Sequence, residues 1–570
     1  MNIARRVHPL LFVLPALVVA LALDQGGFDP SAWVWSGALA AWAAATAAVA
    51  SRELRLSRSA WAWIATAGLV LAWVALSWVW SDRRAQTVLE LRRTAVYAAA
   101  VLALVVVVRR GATAHLLVLT HGAITGVVVY ALARYLTETR TFDTFEGTLL
   151  AQPLGYANAV GALAAVGIVL GIGLAAQAPV PRARAVAAAT VPVLAIALPL
   201  TSSRGAVIAL GIGLVTTVAC AADAAPIVRA ALLVAPGSAL AAVVAATSRL
   251  SDGNARPYAH GAWVVGIAAV ASAAGTAIAA ARVRRVPRSR RHLPRLALAA
   301  ALVVGVIAAS VASRATEPRA SLWRVAWHQF EGHVALGSGA GTFALAWARS
   351  GLIEMRGGAL DAHSLYLETL AELGLVGLVL VLAFLALPLV RATRAPVAAG
   401  AYAVVLVHAG LDWDWEMPAV ILAGLCCGAA ALAAASDQPR TVTTRGRAAI
   451  VVLALALGAV SIAGARSSSE PGVAPARSVA VVLGARVVRL PVPVALPVLV
   501  LRSGLGRAGR ERVAVAQVRL QGPRRDGDQV PGVLLRVRAM ADLHAVLLAR
   551  RSVLAAGGPV LAARRAVLAA

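Results

Sequence analysis

Apolar runs of roughly 17–25 residues recur along this chain, and they constrain its fold more than any other feature. Their approximate limits are 9–23, 31–50, 60–80, 94–108, 112–133, 156–178, 184–201, 204–222, 227–247, 260–281, 295–313, 363–390, 396–411, 417–436 and 447–465. A helix of about 20 apolar residues crosses the hydrocarbon of a bilayer. Inside lipid each backbone N–H and C=O must be satisfied within the protein, and runs of this length do so as helices. The fold class expected is therefore all-α, a polytopic transmembrane helical bundle of about 12–15 spans. With 60% of its 570 residues hydrophobic and only 14% charged, the chain is not an ordinary cytosolic enzyme. The connection at 201–204 is so short that a single broken helix is an alternative there to two spans.

Net charge is +28, and all 53 basic residues are arginine. Such an excess suits nucleic acid or a membrane orientation signal, and its distribution favours the second, with no nucleic-acid partner. With the N-terminus inside, the inward loops near 52–58, 109–110, 182–184, 282–295, 391–394 and 440–447 are rich in arginine and almost free of acids. Acids gather on outward segments at 24–29, 138–146 and 412–416. Segment 82–93 runs against the rule, with four arginines on the outward side. The first apolar run has no clear small-x-small cleavage site before Asp24 and reads as an uncleaved anchor. Cys220, Cys426 and Cys427 all fall in apolar runs, as packing residues do.

The chain divides into a membrane domain at 1–465, which contains a large outward loop at 314–362, and a tail at 466–570. In the loop, Trp323, Trp327 and Phe330 recur at helical spacing, as in a helix lying at the membrane interface or one buried beneath a loop. Trp323 is assigned a structural role. The tail holds no Phe, Trp or Tyr and carries 17 arginines against 5 acidic residues. Its apolar runs are interrupted by Pro, Gly and Arg, so it is expected to be disordered.

Polar residues at the ends of the spans collect on the outward side: Asn158, Arg204, Arg319, His363, and the carboxylates Asp412, Asp414 and Glu416. Arg204 starts a predicted helix after Ser202 and Ser203, with small neighbours. A helix start and a guanidinium both suit a phosphate, although an interfacial arginine also snorkels to lipid headgroups. His363 stands at another helix start, where Asp361 can cap. That position lowers proton affinity and suits a neutral general base; the plainer reading is a capping residue. Glu368 lies near enough to the surface to orient a polar group. Glu372 is about 13 Å deeper than His363 at the rise of an α-helix and is expected to pair with an arginine inside the bundle. The run GSGAG at 337–341 lacks the lysine and the preceding strand of a phosphate loop and reads as a flexible turn. The carboxylates of 412–416 could hold a divalent metal or could be outward loop charges; the second is preferred, and no metal or other cofactor is assigned.

Four stretches in order carry a family resemblance: LGYANAVGAL at 154–163, SSRGAVIALGIGL at 202–214, RASLWRVAWHQFEGHVALGSGAGTF at 319–343 and DAHSLYLETLAELGLVGL at 361–378. HAGLDWDWEMPA at 408–419 is a fifth. Over residues 1–465 the chain resembles the O-antigen ligase and O-antigen polymerase superfamily of bacterial inner-membrane proteins. The resemblance implies a GT-C-like helical bundle in the cytoplasmic membrane with its active site on the extracytoplasmic face. It further implies metal-independent transfer of a glycan from an undecaprenyl-pyrophosphate-linked donor to the hydroxyl of a glycan or glycolipid acceptor, among membrane lipid. Carried over by position, His363 would be the base, and Arg204 and Arg319 would hold the pyrophosphate. Arg324, Asn158 and Glu368 would assist in binding substrate. A flippase of the same lipid-linked glycan is the alternative. The chain departs from the family's pattern at Ser364, where asparagine is usual, and at Val334 or Ala335, where proline is usual.

The topology makes a direct prediction. In intact cells, a cysteine in place of Arg288 stays unlabelled by a membrane-impermeant thiol reagent, whereas one in the 314–362 loop is labelled. The reverse result would invert the bundle.

Overall fold

The computed structural model describes residues 8–137, 146–248, 250, 259–282, 319–352, 359–435 and 439–463, and the backbone of five tail segments. The membrane unit contains α1 (Val13–Leu23), α2 (Pro30–Ala50), α3 (Arg58–Ser77), α4 (Arg84–Val107), α5 (Thr113–Thr137), α6 (Ala157–Gln177), α7 (Pro181–Thr201) and α8 (Arg204–Cys220). It continues with α9 (Ala225–Thr247), α10 (Ala259–Arg282), α11 (Arg319–Gly332), α12 (Phe343–Ser350), α13 (Leu365–Ala386), α14 (Pro396–Ala409), α15 (Pro418–Ala435) and α16 (Thr444–Ile462). Ten helices among the described residues are long and apolar enough to cross a membrane. The chain is thus an all-α polytopic membrane protein. The expected span at 295–313 and the inward loop at 282–295 lie almost wholly outside the described residues, as do 314–318 and 353–358 of the outward loop.

Helix boundaries follow local chemistry. Asp29 caps α2 by accepting from Ser31 N at 2.8 Å, with Pro30 at the first helical position, and Ser57 and Thr443 cap α3 and α16. At 201–204 there are two helices: Ser202 takes a left-handed φ of 51°, which ends α7, and Ser203 caps α8. The Ala- and Gly-rich helices α6 and α15 are almost wholly buried at the centre. Small residues let backbones approach closely in lipid. A Cβ on Gly400 of α14 would lie 2.5 Å from Gly213 O of α8. Eight residues further along each helix, in antiparallel register, a Cβ on Gly205 would lie 3.2 Å from His408 Nε2. The glycine contact thus sets which residues meet at the Gly205–His408 end of the two helices.

The arginines that break the charge rule explain themselves. Arg92 and Arg93 lie inside the bundle on α4. Arg92 donates to the carbonyls of Ser461 and Pro30, while Arg93 pairs with Glu90 and, at 2.8 Å, with Glu416. The Arg93 guanidinium also stands 4.7 Å from the centre of the Trp415 ring. Two of the four are therefore structural ions within the protein, where the loop rule does not apply.

The run 363–390 does not form the one continuous helix that its apolarity suggests. Within α13, Gly374 adopts φ 68° and ψ −169°, and the helical hydrogen bonding is interrupted. Leu375 N and Val376 N donate instead to Val334 O and Ala335 O, at 2.9 and 3.3 Å. On the other side of the break, Ala371 O and Glu372 O accept from Ser338 N and Gly339 N, at 3.2 and 2.8 Å. Trp73 Nε1 donates to Leu373 O at 3.0 Å. Irregular backbone survives at membrane depth only when protein satisfies it, and here the 334–339 segment does so. The GSGAG run is accordingly a packed turn and not a flexible one. A Cβ on Gly337 would fall 2.2 Å from Glu372 O, and one on Gly339 2.5 Å from Ser81 Cβ.

The tail, residues 466–570, forms a separate unit. Its described backbone comprises an antiparallel pair, β3 (Arg477–Leu483) with β4 (Arg486–Val492), and a three-stranded antiparallel sheet of β5 (Val498–Leu505), β6 (Val513–Gln521) and β7 (Val533–Arg538). In the membrane unit, β1 (Arg55–Leu56) pairs with β2 (Arg440–Thr441).

Gly374→Ala is expected to destabilise the protein by about 2–4 kcal/mol, since it forces a left-handed backbone on a side chain that would collide with Ala335 O. Gly68→Ala, which meets open space, should be close to neutral. Thermal unfolding of both variants in one detergent measures the difference.

Candidate active site

Of the polar residues singled out at the ends of the spans, Asn158 and Arg319 meet at Asp412, in the turn between α14 and α15. The sequence suggested outward loop charges or metal ligands; in the structure Asp412 is completely buried, Asp414 is 1% exposed and Glu416 is 9% exposed. Four donors satisfy the Asp412 carboxylate. Oδ1 accepts from Tyr156 OH at 2.6 Å and from Trp413 N at 2.8 Å. Oδ2 accepts from Asn158 Nδ2 at 2.7 Å and from Arg319 at 3.0 Å. Burial, and then the Asp412 charge, push the Tyr156 phenol well above its ordinary pKa, so it remains a proton donor. The Tyr156 ring lies 4.4 Å from Trp413, and Trp413 meets Phe28 edge-on at 5.3 Å.

The neighbouring carboxylates turn to other partners. Asp414 sits 3.0 Å from His408 Nδ1, with both side chains almost fully buried, and Glu416 pairs with Arg93. The three carboxylates thus serve three separate cations or donors and do not converge on one point. His408 was not singled out in the sequence. The antiparallel register from Gly213 and Gly400 brings its Nε2 beside Gly205, next to Arg204.

His363 immediately precedes α13 in a left-handed conformation with φ 49°. Such a backbone is rare for a residue with a side chain and persists only where its surroundings enforce it. Two carboxylates do so here. Asp361 Oδ1 accepts from His363 N at 2.8 Å and lies 2.7 Å from His363 Nδ1. Glu368 Oε2 accepts from Ala362 N at 2.7 Å. The helix cap is Ser364 and not Asp361. Burial lowers the affinity of His363 for a proton, but Asp361 more than offsets this, and the imidazole is held above its ordinary pKa. The lowering expected from a helix start is therefore overridden by an adjacent carboxylate. The charges of Asp412 and Arg319 also act on His363.

Two carboxylates on α13 have roles that spacing alone did not reveal. Glu368, expected to contact substrate, is buried and fixes the turn that carries His363. Glu372, expected to pair with an arginine, receives backbone amides instead: Gly341 N at 2.7 Å and Phe343 N at 2.8 Å. It closes the glycine turn onto the start of α12.

Of the arginines, Arg319 opens α11 and Arg204 opens α8, both half-buried. Arg324, on the next turn of α11, is exposed. The packed face of α11 is Leu322, Val325 and Ala326, set against Phe343, Trp347 and Ala362. Trp323 packs partly against this cluster, and Trp327 is 48% exposed. Of the aromatic stripe, only Trp327 faces out from the packed side, while Trp323 and Phe330 are partly buried.

The fold and this buried, charged cluster at the ends of several helices define a multi-pass membrane protein with a polar site at one end of its bundle. Residues 188–382 match the family model described as O-antigen ligase, a match that supports an O-antigen ligase or polymerase-like family. The match supports a glycosyltransferase-like enzyme of cell-surface polysaccharide synthesis, with a lipid-linked glycan and an acceptor as its partners. It includes Arg204, Arg319, His363, Glu368 and Glu372; Asn158 lies before it and Asp412 after it. No curated protein matches the chain.

Asp412→Ala would strand Arg319, Tyr156 and Asn158 without their common acceptor. The expected loss of stability is about 2–4 kcal/mol, with Asp412→Asn losing less because the amide still accepts one bond. Thermal unfolding in detergent checks both; a neutral Asp412→Ala would remove Asp412 as the organising group.

Proposed function

We propose that this protein transfers a glycan from an undecaprenyl-pyrophosphate carrier to an acceptor hydroxyl on the extracytoplasmic face of the bacterial cytoplasmic membrane, as a ligase or a polymerase. The observation that carries the reading is the enforced Asp361–His363 pair, subject to the charges of Asp412 and Arg319. Asp361 engages Nδ1, so Nε2 is the nitrogen that would accept a proton. In the step envisaged, His363 Nε2 takes the acceptor's hydroxyl proton and the oxygen bonds to the anomeric carbon. The bond from that carbon to the pyrophosphate breaks, and the electron pair leaves with the carrier. Pyrophosphate leaves as a stable anion and needs charge stabilisation more than it needs an acid. Arg319, aimed by Asp412, and Arg204, at the start of α8, supply that stabilisation.

His363→Ala should lower turnover by about 10²–10⁴-fold with donor binding largely retained. Arg204→Ala and Arg319→Ala should weaken donor binding as well, and lysine should rescue them only in part. Each carboxylate of 412–416 is already engaged by a protein partner, so activity should survive EDTA. Loss on chelation with recovery on adding magnesium would move the chemistry to a metal. The base must be neutral to act, so activity falls as pH drops through the raised His363 pKa. The acidic limb is expected above pH ~6.5, and Asp361→Asn should shift it to lower pH.

The decisive measurement uses the full-length protein in liposomes with a lipid-linked donor and an acceptor. Release of undecaprenyl pyrophosphate in step with acceptor glycosylation supports transfer. Transbilayer movement of intact donor without release would make the protein a flippase.

A further inference from the structure

At the opposite end of the bundle from Asp412, a half-open cavity of about 820 Å³ lies among the ends of α3, α4, α5 and α15. Arg55, Arg109, Arg110 and Arg394 line it, with a single acid, Glu53, that already pairs with Arg55 at 3.1 Å. A second hollow shares Ser57, Leu432 and Pro439 with it and adds Arg58, Arg391 and Arg440. The β1–β2 pair spans this region and ties the α2–α3 loop to the segment before α16. Positive charge on this face is what an inward orientation requires, so the arginines alone indicate no ligand.

A second observation does. Trp63 lines the cavity, is completely buried, and its indole N–H has no acceptor among the described residues. A buried donor without a partner is costly, and a ligand oxygen would satisfy it. The remaining lining is apolar, with Leu104, Val105, Val106 and Leu432. A soluble phosphate would meet the arginines but leave that wall wet. An amphiphile with a phosphate head satisfies both parts, and the cavity lies where helices leave the membrane.

We infer that this cavity binds the phosphate headgroup of an acidic phospholipid, with the arginines at the headgroup and the apolar wall beside the first acyl carbons. The site is separate from the one at Asp412 and does not depend on the reaction proposed there.

The test is lipid retention by the purified, delipidated full-length protein, re-equilibrated in detergent with equal phosphatidylglycerol and phosphatidylcholine and read by native mass spectrometry. The protein should retain phosphatidylglycerol in preference. The pair Arg109→Gln and Arg110→Gln should reduce that retention by about 10-fold or more. Trp63→Phe, which keeps an aromatic ring but loses the donor and part of the indole's bulk, should also reduce it, and it carries the test if the arginine pair does not fold. Arg445→Gln removes a charge from the same face outside the cavity and should have little effect. Equal retention of both lipids would overturn the inference, as would equal losses in the Arg445 and cavity variants. Displacement of the bound lipid by millimolar inorganic phosphate would assign the cavity to a soluble anion instead.

Discussion

A carboxylate removed from water is unfavourable unless its oxygens are fully engaged, and one end of this bundle is built around one such group. Asp412 gathers a phenol, an amide, a guanidinium and a backbone N–H onto its two oxygens. Apart from its neighbour Trp413, these donors all come from earlier in the chain, Arg319 by 93 residues and Asn158 and Tyr156 by 254 and 256. None could be removed without leaving a buried charge short of a partner. The cluster therefore fixes the start of α6, the start of α11 and the α14–α15 turn relative to one another. Arg319 owes its position to this arrangement.

Two histidine–aspartate pairs flank that centre under different constraints. His408 and Asp414 are sealed in the interior, in a register dictated by glycines eight residues away along both helices. His363 and Asp361 lie in a partly accessible turn, held in an unfavourable backbone conformation by their own hydrogen bonds and by Glu368. Similar chemistry serves packing in one place and leaves a titratable side chain partly accessible in the other. Local strain and accessibility distinguish them, and residue type does not.

The apolar runs made nearly all the described helices legible, because length and hydropathy are one-dimensional properties. The convergence of Asn158, Arg319 and His363 on one face followed from alternation of the spans. Distance across the fold was not legible. The separate partners of Asp412, Asp414 and Glu416 depend on side-chain directions within a five-residue turn. The assignment of Glu372 failed for a related reason: spacing gives depth along a helix but not the loop that folds against it. One signal was available, in that three alternating glycines ahead of a buried glutamate fit backbone amides approaching a carboxylate. The arginines of 82–93 contradicted the charge rule because the rule counts loop residues, and two of these, Arg92 and Arg93, are buried inside the bundle.

The break at Gly374 divides α13 mechanically. Above it, Glu368 holds the His363 turn and Glu372 holds the glycine turn, so both turns travel with one short half-helix. Below it, the remaining turns run on toward the opposite membrane surface. A rotation about the Gly374 peptide would swing the imidazole and the 337–341 segment together while the lower half stayed packed. The backbone bonds from Leu375 and Val376 to the 334–335 carbonyls would resist such a swing and limit its amplitude. A single residue without a side chain thus supplies both the pivot and the space for its restraint.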